Sequence, residues 1–179
     1  MATTFPGTTI ETRTLEKGSS KLLFDGIFAT GGITLSQVSI MTGLEPYLIQ
    51  NWIKRGFVAP PQKRVYGKEQ FARIIIINML REALQIERIC TLIQVMGSGE
   101  DRIRDDELYH RYVDLLAENE INMMDEKSVS AAVESVALVS ETHDPGLKKQ
   151  LERILQVMLY AHAASQFRDS AEQILATLQ

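Results

Sequence analysis

The chain has 179 residues, 45% hydrophobic and 23% charged, which suits one globular domain or two small ones and excludes a disordered or fibrous protein. A single cysteine excludes an intramolecular disulfide and fits a reducing, cytoplasmic setting. The net charge of −4 argues against a nucleic-acid partner until its distribution is read: residues 32–74 carry net +4, residues 75–179 net −8, and the first 31 balance.

Met1 to Ser20 is rich in Thr, Gly and Ser and has no periodicity. It lacks the charged start and apolar run of a signal peptide. It reads as a loose arm, the first part of an N-terminal division spanning residues 1–31. Arg13 and Lys17 are the only support for a minor-groove contact there, and Glu11 and Glu16 offset them. Leu22, Leu23, Phe24, Ile27 and Phe28 form a short apolar patch that should pack on the head or on the body of the protein.

Residues 34–74 predict two short helices joined by a tight turn, then a small wing, then a third helix. Thr34 can cap the first helix, expected to run to about Met41, because its hydroxyl accepts from a free first-turn N–H. Leu35, Val38 and Met41 make its apolar stripe, and Ile40, off the stripe, must pack elsewhere. Gly43 ends the helix in the left-handed conformation. Pro46 suits the first turn of the second helix, and Leu48, Ile49 and Trp52 point inward. Gly56 stops it. The pair fits a helix-turn-helix.

Tyr47, Gln50, Asn51, Lys54 and Arg55 are left on the outer face of the second helix. Gln and Asn both donate and accept, so they can read adenine in a major groove, while Lys and Arg bond phosphates. The alternative is a solvated helix face. A second basic feature comes next, in Pro60-Pro61-Gln62-Lys63-Arg64-Val65-Tyr66. Two prolines, two cations, a β-branched and an aromatic residue fit a short ribbon laid against a nucleic-acid backbone.

From Gly43 to Pro60 the chain resembles the head of MerR-type transcription regulators. Their pattern runs G-V-S-x-x-T-I-R-Y-Y-E-x-x-G-L-L-x-P, with a wing ending R-x-Y. Gly43, Ile49, Gly56 and Pro60 match without a gap, and Trp52 stands where the second Tyr would be. Phe57 and Val58 replace the two leucines, Arg64-Val65-Tyr66 matches R-x-Y, and Phe71 matches the apolar start of the third helix. Gln50, Asn51 and Ile53 stand where the family has Arg, Tyr and Glu, and the wing is short. The chain is more similar still to an uncharacterised bacterial family with a MerR-like head and a helical tail, through I-Q-N-W-x-K-R-G, the Pro pair, and an Ile-rich helix after Y-x-K-E-Q. The resemblance spans about residues 32–96. It implies duplex DNA binding as a dimer.

Lys68 to Leu84 reads as a longer helix. Ile74 to Ile77 is β-branched and could form a strand, but the apolar pattern continues through Leu80 and Leu84 among good helix formers. Ile86, Ile89, Leu92, Ile93 and Met96 mark a fourth helix, and Gly97-Ser98-Gly99 is the best internal boundary. Cys90 lies in that run and reads as a packed core thiol rather than a redox sensor. Beyond it the chain looks all-helical. Leu108, Tyr112, Leu115 and Leu116 stripe one helix, and Val129, Ala132, Val133, Val136 and Val139 another. A last helix starts after Pro145, with Leu147, Leu151, Ile154, Leu155, Met158 and Leu159 on its face and a bend expected near Ser165 before Leu175 and Leu178. Part of this surface pairs with a second copy, or all of it is bundle core.

His110, His143 and His162 are far apart in sequence, and the pairs Asp105-Asp106 and Asp125-Glu126 lie near helix starts, where acids suit the helix dipole. Neither a catalytic or metal-ligating constellation nor a phosphate-binding glycine loop is present. No apolar run is long enough to cross a membrane.

The expectation is an all-α, cytoplasmic protein without enzymatic activity or cofactor, comprising an arm (1–31), a winged helix-turn-helix head (32–97) and a helical assembly or regulatory part (100–179). It should bind double-stranded DNA as a homodimer and regulate transcription; the sequence names no small-molecule effector. Gln50 and Asn51 are expected at base edges, Tyr47, Lys54 and Arg55 on or near the backbone, and Ser36, Gln37, Lys63, Arg64 and Tyr66 on phosphates. The alternatives are an excisionase-like factor that bends DNA and a protein-contact module.

Overall fold

The structure, a computed structural model, describes residues 3–96, 102–118, 120–137 and 145–178. Among these the chain is helical apart from one small hairpin, β1 (Thr3–Thr4) paired antiparallel with β2 (Glu11–Thr12). Eight helices come after it among the described residues: α1 (Ser19–Ile27), α2 (Leu35–Thr42), α3 (Pro46–Lys54), α4 (Lys68–Leu80), α5 (Ile86–Gln94), α6 (Asp105–Glu118), α7 (Glu126–Ala137) and α8 (Pro145–Ala176).

α4 is the centre of the fold. Ile74, Ile75, Ile76 and Ile77 are all 0% exposed, so this helix is buried on every side rather than along one stripe. α2, α5, α6 and α8 pack around it. That enclosure settles the four-isoleucine run as helix: among the described residues no neighbouring strand exists to pair it, and every side chain finds apolar cover. The helix ends earlier than the pattern predicts. Arg81 to Ala83 form a turn, in which the Ala83 and Leu84 N–H groups both return to the Leu80 carbonyl.

The N-terminal segment is not a loose arm. Phe5 and Pro6 are buried, and Tyr109 of α6 donates its hydroxyl to the Pro6 carbonyl at 2.8 Å. Gly7 lies directly on α4: its φ is +75°, and a Cβ there would stand 2.3 Å from the Ile75 carbonyl oxygen. The Asn78 amide donates to the carbonyls of Gly7 and Thr42, both at 3.0 Å, tying the hairpin and the end of α2 to α4. The Thr9 N–H and hydroxyl reach the carbonyls of Met41 and Ile40.

The patch in α1 packs as expected through Phe24 and Phe28, which meet Phe71; Phe24 also meets Tyr109 and His110. Leu22 is the exception and stays 75% exposed.

One continuous core joins residues from Phe5 to Ala161. The expected boundary at 97–99 lies outside the described residues, yet α4 on one side of it and α6 and α8 on the other are packed together. α6, α7 and α8 also pack on one another, burying Leu108, Tyr112 and Leu115, then Val129, Val133 and Val136, then Leu151, Ile154, Leu155 and Met158. Val139 and His143 lie outside the described residues. α8 runs unbroken for 32 residues through Ser165, near which a bend is expected. The Ser165 hydroxyl donates back to the Ala161 carbonyl within this continuous helix.

Candidate nucleic-acid interface

α2 starts at a capping box. The Gln37 N–H donates to the Thr34 hydroxyl at 3.3 Å, and the Gln37 carboxamide oxygen accepts from the Thr34 N–H at 2.8 Å. It ends on Gly43, whose φ of 69° reverses the chain. Glu45 leads into α3, which begins with Pro46. Val38, Leu44, Ile49 and Trp52 seal the two helices onto the core.

Tyr47, Gln50, Asn51 and Lys54 then fall at successive steps of three, one and three, which is one face of a helix. All four are exposed. No intramolecular side-chain hydrogen bond engages Gln50 or Asn51 among the described residues, so each keeps its donors and acceptor free. Ser36 and Gln37 are exposed at the start of α2; the Gln37 oxygen is occupied by the cap, which leaves its NH2 group. Ile40, expected to pack, is 71% exposed.

Arg55 is drawn away from this face. Its guanidinium bonds the Glu87 carboxylate of α5 at 2.6 Å and lies 4.5 Å from the centroid of the Phe57 ring. Lys68 is similarly matched by Asp25, and Arg73 by Asp105, a half-hidden guanidinium on a buried carboxylate. Burial outweighs the Arg73 charge and leaves the Asp105 carboxyl above the usual range. Among the described residues, the head's cations without a carboxylate in reach are Lys54 on α3, Lys63 and Arg64 in the wing, and Arg88 on α5.

The wing is a two-residue hairpin turn. Gln62 and Val65 exchange N–H···O bonds of 3.1 and 3.0 Å, and the residues between them, Lys63 and Arg64, have φ of 49° and 68°. Positive φ at both central positions is what such a turn needs to match the strand twist, and Asn-Gly is its usual sequence. Two long cations in its place cost about 1 kcal/mol each. Sequence reading located both side chains but missed this backbone strain, because Lys-Arg carries no turn signal.

The base of the wing is held firmly. Val65 leads to Tyr66, which pairs through the backbone with Ile33 just ahead of α2. The Gln70 NH2 group donates to the carbonyls of Ala59 and Pro60, and its oxygen accepts from the Gly67 N–H. Tyr66 is only 2% exposed, and burial raises its hydroxyl pKa. Tyr66 therefore leaves the set of expected phosphate contacts: its ring fixes the wing to the core instead.

Cys90 is buried near the Phe57 carbonyl, and burial pushes its thiol pKa up, as suits a packing residue. His110 shares a hydrogen bond with Ser20, and His162 with Tyr112, so neither joins a common site. Among the described residues no three His, Cys, Asp or Glu side chains lie close enough to hold a metal ion. Among them, too, no helix is long and apolar enough to cross a membrane.

A family model described as "Domain of unknown function (DUF1836)" matches residues 22–112, just over half of the chain, from within α1 into α6. The match runs across residues 97–99 and includes part of the helix that shares a core with α4. No curated protein and no solved structure matches the chain.

Proposed function

We propose, from the premise that the chain belongs to the DUF1836 family, that it binds duplex DNA sequence-specifically through a MerR-like winged helix-turn-helix head, acts as a homodimer and regulates transcription. The observation that carries this reading is the juxtaposition in one short segment of two unengaged features. One is the exposed stripe Tyr47, Gln50, Asn51 and Lys54 on α3; the other is a hairpin tip that accepts backbone strain to present Lys63 and Arg64. α3 enters the major groove with Gln50 and Asn51 at base edges, where their free amides discriminate adenine. Tyr47, Lys54, and Ser36 and Gln37 at the start of α2, bond the flanking backbone. Lys63 and Arg64 hold phosphates beside the groove. Arg55 first has to leave Glu87 to join them, so it contributes less than Lys54.

The exposed Ile40 and Tyr47 support a rival, in which the same face docks on a protein. Selection from a random duplex library at two salt concentrations separates the readings. A two-fold symmetric motif whose binding weakens with salt is expected. Tandem repeats point to a DNA-bending architectural factor. No enrichment at low salt favours the protein-contact module.

A further inference from the structure

Beyond Ser165, α8 leaves the core. Every residue from Gln166 to Leu178 is exposed, although Arg168 still pairs with Glu82 in the turn after α4. The exposed side of α8 is not random. Val157, Tyr160, Ala164, Phe167, Ala171 and Ile174 succeed one another at alternating steps of three and four, and a further step of four reaches Leu178. From Val157 to Ile174 that is an unbroken apolar heptad seam within the helix, and Leu178 extends it in the turn after α8. It is separate from the buried face of Leu151, Ile154, Leu155 and Met158. At the same spacing toward the start of the helix come Arg153 and Gln150, so the seam has a polar limit. Phe167 is 67% exposed, Ile174 65%, Leu178 77% and Leu175 beside them 52%.

We infer that this seam is the docking surface for a second copy of the chain, joined along α8 as an antiparallel two-stranded coiled coil about a two-fold axis. The large exposed side chains, at about 150–250 Å² each when fully open, offer on the order of 600 Å² per copy, near what the smaller specific pairs bury. An apolar patch of this size stands at the upper end of what a lone chain leaves in water, where such patches commonly serve a contact. The seam is also complementary to itself. Large residues alternate with Ala164 and Ala171, so an antiparallel copy sets Phe167 over Ala164 and Tyr160 over Ala171, with Val157 against Ile174. A two-fold axis repeats each of these layers, as an isologous contact requires. A parallel pair instead stacks Phe167 on Phe167 and leaves gaps between facing alanines.

The inference gives a surface to the dimer of the proposed regulator, and its first test contains no DNA. Sedimentation of the full chain at micromolar concentration is expected to give twice the 20.1 kDa chain mass. Phe167→Glu combined with Ile174→Glu is expected to give the single-chain mass with unchanged unfolding, because both side chains are exposed. A wild-type monomer, or a double variant that stays dimeric, overturns the proposal. Orientation is read by spin labels in a Cys90→Ser background. With about 1.5 Å rise per residue, Gln166→Cys labels should lie close across the pair and Lys149→Cys labels about 50 Å apart. Short distances at both sites overturn the antiparallel arrangement. A dimer that binds no duplex sinks the DNA-binding reading alone, and a DNA-binding monomer sinks the seam and the homodimer while leaving DNA binding in place.

Discussion

Lys63 and Arg64 occupy the two turn positions where Asn and Gly are most at ease, and both hold positive φ. Replacing them with Asn and Gly should therefore stabilise the chain by about 1–2 kcal/mol while weakening DNA binding. Paired measurements of the urea midpoint and of duplex affinity check this; a variant with lower stability, or with unchanged affinity, is the contrary result. The two histidines give a second residue-scale expectation. Burial lowers the pKa of His162, and also of His110, where Asp106, Glu107 and Asp114 oppose it. The fold favours the neutral rings, so their contribution is complete above the unfolded value of about 6.5. It is lost as pH falls through the lowered folded values. Unfolding midpoints should drop as pH falls below about 6.5, and His162→Gln beside Tyr112 should flatten that drop.

At the scale of elements, the hairpin β1–β2 depends on one close approach. Gly7→Ala places a Cβ on the Ile75 carbonyl oxygen at a φ only glycine holds easily. It should cost about 2 kcal/mol or more, read as a fall in the urea midpoint; a neutral effect shows that the hairpin has moved aside. This hairpin was illegible in the sequence. Its strands have two residues each, too short for any period, and its order comes from Asn78, Tyr109 and Thr9, which act across the fold. The opposite holds for α2 and α3, whose limits follow from Thr34, Gly43 and Pro46, all local signals. For the site, exposure of the α3 stripe was legible because the apolar residues left it over. The fates of Arg55 and Tyr66 were not, since Glu87 and Ile33 lie far along the chain.

For the whole molecule, the balance of charge makes a quantitative expectation. Each copy offers Lys54, Lys63 and Arg64 as unmatched cations among its described residues. Two copies engaging about six phosphates predict a log–log salt slope of about −5. Changing Lys54, Lys63 and Arg64 to Ala together should reduce that slope, across all sequences, to the small remainder that Arg55 supplies. A slope that survives the triple change assigns the binding to other groups. The acidic remainder of the chain keeps this attraction confined to one side, which the overall charge of −4 conceals.

Because α4 runs on from the wing into the grip of α6 and α8, the matched segment is not a module that can be cut out. An excised piece covering residues 22–112 strips α4 of both its α8 cover and the hairpin over Ile75. Expressed alone, such a piece should collect in the insoluble fraction, and co-expression of residues 113–179 should bring part of it back into solution. The same continuity ties the wing to the far part of the fold: α4 runs without a break from Gly67, which joins it to the wing, to the turns that pack on α8.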